Sequence, residues 1–326
     1  MRAKHCARLL CCALSWFVLG AQAQNPADNY PNRPMRFIVP YTPGSALDVL
    51  ARDLGQVFLE RLGQPMVIDN RPGASQAIAL EAAARAPADG YTLVMGTQSG
   101  LVFLTASRKS LPYDPLRDFA SISMLIAFPF NVTVNPAVPA RSMAELIAFA
   151  KAQPGKLFYA SIGMGGGHHL VTEMFKTRAG IDMVHVPFKG NAQAQAGLIA
   201  GEVQVMFEGP SILPHIKSGK VRALATTGRA RTKALPDLPT VSEAVLPGFE
   251  MGAWFGLSAP AGVPRPIVDK LNREVGIYLR SAATQSKFAA AGFEFIPGTP
   301  EEMTETIRSE IPTAAKVMRS VGMEPE

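Results

Sequence analysis

"RFIVPYTPGSALDVLARDLGQVFLERLGQPMVIDN", residues 36–70, holds a strand, a helix and a second strand in close succession. Residues 36–41 form a short apolar run that reads as a buried strand. Leu47, Leu50, Leu54, Val57 and Phe58 share one face of a helix over 47–63, because residues three and four apart stack along a helix. Gly63 supplies its stop. Residues 66–70 return as a strand, 75–86 as a helix ended by Pro87 and the Asp89-Gly90 turn, and 91–97 as a third strand. β-α-β-α-β is the rhythm of a parallel sheet covered by helices.

The rhythm starts again downstream. A helix is predicted over 142–153 behind a Ser142…Glu145 capping box, followed by a strand at 156–161 and a helix at 168–179. Segments 183–188, 192–200, 203–209, 211–219 and 221–227 continue the alternation. Prolines break it over 234–250, and 254–260 reads as a strand. Helices at 264–281 and 300–319 flank a last strand at 293–298. Two α/β lobes are expected, with the irregular stretches near 127–135 and 228–253 as the crossings. If the chain returns to the first lobe after about residue 250, that lobe is discontinuous.

The first residues stand apart. Arg2, Lys4 and Arg8 precede an apolar run at 9–20, too short for a membrane-spanning helix, and Ala21-Gln22-Ala23 offers a small-x-small cleavage site. This reads as a secretory signal peptide, residues 1–23, in preference to a membrane anchor. A lipoprotein signal does not fit, since Leu10 precedes Cys11 where a small residue is needed. Cys6, Cys11 and Cys12 all lie within it, so the mature chain carries no disulfide and no thiolate-bound metal. Without the three basic residues, 29 Lys and Arg stand against 26 Asp and Glu. That balance is mild, and no basic cluster interleaved with aromatics suggests nucleic acid.

The most distinctive loop is "SIGMGGGHHLVTEMF", residues 161–175. A dinucleotide fingerprint fails here: His168 stands at the third glycine position, and Asp182 opens the next strand instead of closing it. A metal site would use His168, His169 and Glu173, but capping or packing is the commoner role for such histidines. The third reading is an anion cradle. A glycine-rich loop entering a helix presents unpaired N–H groups at the positive end of the helix dipole. Ser161, Gly163, Met164, Gly165 and Gly166 would form it. The other lobe offers similar strand-to-helix loops: Tyr41, Thr42, Pro43, Gly44, Ser45 and Asp48; then Arg71, Gly73 and Ala74; then Thr97, Gln98 and Ser99. In a parallel sheet such loops gather at the carboxyl edge, where ligands sit. Asp48 also reads as part of a capping box that fixes the helix start.

Catalysis finds little support. No G-x-S-x-G elbow occurs, Thr97 standing where an elbow at Ser99 needs glycine. His185 reads as a satisfied core residue, and Asn131-Val132-Thr133 as a chance match to a glycosylation sequon.

Taken together, "FIVPYTPGSALDVLAR", "VIDNRPGA", "PADGYTLVMGT", "YASIGMGGGHHLVTEMFK", "VHVPFKGNAQAQAGLIAGEVQVMF" and "WFGLSAPAGVP" closely resemble the solute receptors of tripartite tricarboxylate transporters, the Bug-type extracytoplasmic binding proteins. The resemblance implies a type II periplasmic-binding-protein fold, two α/β lobes joined by two crossing strands, with 24–127 and 250–326 in one lobe and 128–249 in the other. It implies a small organic acid as ligand, no catalysis, no cofactor, no metal, and a membrane permease with large and small subunits as partner. A monomer in the periplasm is expected. It adds His169, Lys189, Gly190 and Glu208 to the candidate ligand contacts. This chain departs from the family pattern at Ser45, Ser75, Gln76 and Gly166, at Phe188 in place of tyrosine, at Glu208 where aspartate is frequent, and at an additional His168. Two other roles compete: a receptor docking to a sensor kinase, and an exported serine hydrolase built on Ser99.

Overall fold

The computed structural model describes residues 25–289, 292–323 and 325, so the expected signal peptide lies outside the described residues. Two sheets organise the chain. The first has the order β11-β4-β10-β3-β1-β2, the second β7-β6-β8-β5-β9. The strands are β1 (Met35–Val39), β2 (Met66–Asn70), β3 (Thr92–Thr97), β4 (Phe119–Pro129), β5 (Asn131–Val134), β6 (Phe158–Ser161), β7 (Val184–Pro187), β8 (Val205–Glu208), β9 (Arg222–Thr226), β10 (Gly252–Pro260) and β11 (Glu294–Phe295).

The first sheet follows from its sequence locally. β1 is parallel to both β2 and β3, Ile38 standing opposite Asp69 on one side and Val94 on the other. Helix α1 (Ala46–Leu62) starts where the Ser45 side chain accepts the Asp48 N–H, and it stops where Gly63 turns left-handed at φ 73°. Its Leu47, Leu50, Leu54 and Phe58 are buried with Phe37, Val39 and Leu257 in one cluster. Each such side chain contributes about 1.5–3 kcal/mol by leaving water. Helix α2 (Ala77–Ala84) packs Ala79, Leu80 and Ala83 inward.

Neither sheet is purely parallel, which corrects the expectation from the alternating rhythm. β10 runs antiparallel to β3 and to β4, and β5 runs antiparallel to β8 and β9. The cause is topological. β4 continues through Phe130 into β5, carrying the chain from the first sheet to the second, and β10 brings it back beside β4. Consecutive passes in opposite directions must pair antiparallel. The segment expected to be irregular near 127–135 is therefore mostly strand. Residues 131–135, Asn-Val-Thr-Val-Asn, do alternate polar with apolar, and β5 is buried at every position.

The two crossings are stitched at Thr227. Its N–H reaches Phe130 O at 2.8 Å, its Oγ1 accepts the Phe130 N–H at 2.9 Å, and Met251 N–H reaches Thr227 O at 3.0 Å. In the second lobe, α3 (Met143–Ala152), α4 (Gly167–Ala179) and α5 (Asn191–Ala200) flank the sheet. The segment at 211–219 splits into a 3₁₀ turn, Pro210–Ile212, and a short helix, Leu213–Lys217. Helices α6 (Arg265–Arg280) and α7 (Pro300–Ser320) close the first lobe. Among the described residues, no helix is long and apolar enough to cross a membrane.

Candidate functional site

Both sets of loops open onto one cleft between the lobes. Its outer part, about 920 Å³, is lined by Thr42, Gly73 and Ala74 from the first lobe and by Gly163, Met164, Lys189 and Gly190 from the second. A narrower neck of about 40 Å³ adds Tyr41 and Ser45 while keeping Thr42, Gly73, Lys189, Gly190 and Asn191. Beyond it, Tyr41, Ser45 and Asn191 also bound an inner chamber of about 60 Å³ with Ser99 and Glu208. Shared walls make the three spaces neighbours, ranged from the outer cleft to the crossing strands.

Several expected contacts lie elsewhere. Gly165 and His169 line a separate groove of about 290 Å³ with Ser107, Arg108 and Glu173, and Met164 borders both that groove and the outer cleft. Pro43, Gly44, Asp48, Arg71, Thr97, Gln98, Ser161 and Gly166 line none of these four spaces. Asp48 is a structural clamp, accepting from Gly44 N–H at 2.9 Å, Arg52 Nε at 2.8 Å and Asn70 Nδ2 at 2.9 Å. Burial pushes its carboxyl up, but those hydrogen bonds outweigh it and hold the group below the usual carboxylate range. The reciprocal half of the expected capping box is absent, because the Asp48 carboxylate reaches Gly44 and not the Ser45 N–H. Arg71 pairs with Asp69 at 2.9 Å, and Gln98 donates to Glu310 at 3.0 Å.

The glycine loop is more self-contained than its composition suggests. Gly163 N–H reaches Ser161 Oγ at 3.2 Å, Gly165 N–H reaches His169 Nδ1 at 3.2 Å, and Gly167 N–H reaches Ser99 Oγ at 3.2 Å. A nest of free donors is therefore reduced chiefly to Met164 and Gly166. Ser161 is fully buried and also meets His185 Nε2 at 2.6 Å. His185 stacks on His169 with ring centroids 4.1 Å apart, and burial followed by the neighbouring His169 pulls its pKa down to about 4. His185 is half-buried and not a core residue, although its polar atom is matched.

The histidines also diverge. His168 turns to Glu208 and the Phe130 ring, while His169 turns to His185. Glu173 is held by Tyr159 and Lys176. Among the described residues, no group of three metal-ligating side chains is assembled. Ser99 accepts from Gly167 and, among the described residues, has no histidine partner. Asn131 is buried within β5 and donates to Glu208 O at 3.3 Å, a position closed to a glycan.

A family model described as tripartite tricarboxylate transporter family receptor matches residues 50–323. This chain belongs to that receptor family. It is 38% identical over 305 residues to protein BugT of Bordetella pertussis, covering 93% of this chain and 94% of that one. Among solved structures it resembles R. palustris Rpa4515 with adipate, at 36% identity and a TM-score of 0.88, covering 91% of this chain and 100% of that one. It also resembles MatC (Rpa3494) from Rhodopseudomonas palustris with bound malate, at 29% identity and a TM-score of 0.82, covering 88% and 99%. The Bug-type, two-lobed periplasmic-binding-protein fold of the receptor family is thus the fold of this chain.

Sequence reasoning missed several walls of this receptor's cleft. Gln76 is buried behind the neck, donating to Tyr41 OH at 2.6 Å and accepting from Thr97 Oγ1. Its signal was visible, since it replaces a glycine of the family pattern. Asn191 opens α5 and donates to Glu208 Oε1 at 2.7 Å. Phe128, Phe130, Phe255 and Phe293 line the chamber, and they come from the crossing strands and a distant loop, which no local pattern connects.

Proposed function

We propose that this receptor captures a small organic carboxylate between its lobes and presents it to a tripartite secondary transporter with large and small membrane subunits. The observation that carries this is the cleft lined by strand-to-helix loops of both lobes. A ligand bridging such loops favours the closed arrangement, because it gains partners from both lobes only there. The donors available to a carboxylate at the neck are loop N–H groups together with the Lys189 ammonium, which has no ion pair among the described residues. Relatives described with adipate and malate support the ligand class.

On this reading the contacts are Tyr41, Thr42, Ser45, Gly73, Ala74, Gly163, Met164, Lys189, Gly190 and Glu208. The remaining loop residues hold those in place. The lobes divide as 24–127 with 250–326, and 128–249. The chain is exported after cleavage at Ala23, works in the periplasm as a monomer, and performs no catalysis. A thermal-shift screen with mono-, di- and tricarboxylates tests it, since a ligand binding only the folded form raises the melting point. A rise of several degrees with at least one acid is expected. No rise with any of them would defeat the reading.

A further inference from the structure

We propose that the inner chamber seats a protonated amine, so that the ligand is a monocarboxylate carrying an ammonium group at its far end. This rests on the carboxylate reading above and narrows it.

Glu208 is the pivotal residue. It is 1% exposed and lines the chamber. Its Oε1 is crowded with neutral donors: Asn191 Nδ2 at 2.7 Å, Gly209 N–H at 2.8 Å and Ser211 Oγ at 3.1 Å. His168 Nε2 stands 3.4 Å from the same oxygen. Its Oε2 is buried with no partner among the described residues. Leaving a buried carboxylate oxygen without a donor is destabilising, and an arriving donor relieves that deficit.

Two neighbouring atoms share that deficit. Asn131 Oδ1 and His168 Nδ1 are also buried and unpartnered. In the neutral tautomer whose Nε2 donates to Glu208, the His168 Nδ1 is a lone pair. The unmatched atoms of this region are therefore acceptors, and an alkylammonium brings three donors and no acceptor.

The surrounding walls point to the same charge. Phe128 stacks on Phe255 at 5.4 Å and meets Phe293 at 5.8 Å, while Tyr41 meets Phe255 edge-on at 5.7 Å. Aromatic rings attract a cation through their quadrupole. Among the described residues no lysine or arginine lines the chamber, and His168 is the one basic side chain on its wall. The outer cleft is the opposite, with Arg108 and Lys189 on its wall. Positive outside and negative inside, the cleft orients a zwitterion with its carboxylate toward the mouth. A dicarboxylate long enough to enter would set its second carboxylate beside Glu208, and like charges in a buried site disfavour each other.

Calorimetric titration of the mature chain with matched ligands tests this. The six-carbon set is 6-aminohexanoate, hexanoate and adipate; the four-carbon set is 4-aminobutanoate, butanoate and succinate. The amino acid of at least one set is expected to bind about tenfold or more tightly than both of its matched partners, because it alone neutralises the buried charge. Glu208→Gln is expected to reduce that preference to about threefold or less. Should the variant fail to fold, the wild-type comparison decides alone. A diacid or plain monoacid binding as tightly as the amino acid in both sets would overturn the inference while leaving the carboxylate reading intact. A preference that survives Glu208→Gln would also overturn it. Absence of binding by all six would overturn this inference, and the broader screen would then decide the carboxylate reading.

Discussion

The loops at 70–76 and 161–169 are both turns from strand to helix, and they solve the same backbone problem differently. In the second, the left-handed positions fall on glycine, Gly163 at φ 134° and Gly165 at φ 72°. In the first, Gly73 at φ 116° is followed by Ala74, Ser75 and Gln76 at φ 46°, 49° and 82°. Holding side-chain-bearing residues left-handed costs about 1–2 kcal/mol each. The offset is visible in what those side chains do. Ser75 Oγ donates across the cleft to Met164 O at 3.2 Å, and Gln76 ties Tyr41 to Thr97. The glycine loop, which looks like the anion cradle, spends three of its N–H groups on Ser161, His169 and Ser99. Glycine content alone thus says where a chain can turn, not which donors remain free after it has turned.

The largest expected effect would break this contrast outright. In Gly163→Ala, the new methyl lands 2.5 Å from Ser75 Oγ, at a φ that alanine avoids. Closure is opposed, and affinity for the receptor's best carboxylate should fall about 100-fold by titration, with backbone strain of about 1–3 kcal/mol contributing. Combining it with Ser75→Gly should recover part of the loss. If the double variant recovers nothing, contact between the loops is not what limits closure.

Next is Gln76→Ala, which keeps the left-handed backbone and removes its compensation. Tyr41 OH and Thr97 Oγ1 lose a buried partner, so denaturant unfolding should show a loss of about 2 kcal/mol. Ser75→Gly alone sharpens the comparison from the other side. Relief of the left-handed serine, about 1 kcal/mol, nearly cancels one lost hydrogen bond, and stability should stay within about 1 kcal/mol of the parent. A large change of either sign would show that one term had been misjudged.

A last test concerns the histidine pair behind the glycine loop. The folded chain holds His185 near a pKa of about 4 against an ordinary 6.5, through burial first and the adjacent His169 second. Between those values the unfolded chain binds more protons, so this contribution is complete above about pH 6.5 and is lost as pH falls toward 4. The melting temperature should decline over that window, and His185→Phe, which keeps a ring in the stack, should flatten the decline. An unchanged slope in the variant would assign the acid sensitivity to other groups.

Much of the architecture was legible because it is local. The periodicity of Leu47, Leu50, Leu54 and Phe58 marks α1, and its Gly63 stop stands where expected. The strand-to-helix loops at 40–45 and 70–76 do border the cleft, since a β-α-β unit places them at one edge. Asp48 and Arg71 are charged residues in the contact loops, yet each is committed to a partner close in sequence, Arg52 and Asp69, and neither lines the cleft. The long strand β4 was hidden because, beyond Ser121 and Ser123, burial on both faces leaves a continuous apolar run without the alternation that identifies strands.

By itself, the sequence determined the family, the two α/β lobes and the loops that can turn tightly enough to meet a ligand. These depend on interactions between residues a few positions apart, and such interactions leave a pattern. Only the tertiary structure decided which N–H groups are already taken, that Gln76 braces the neck, and that Phe128, Phe255, Phe293 and Glu208 wall one chamber. Those outcomes depend on where strands far apart in the chain come to lie, and on which buried polar atoms are left without a partner once they do.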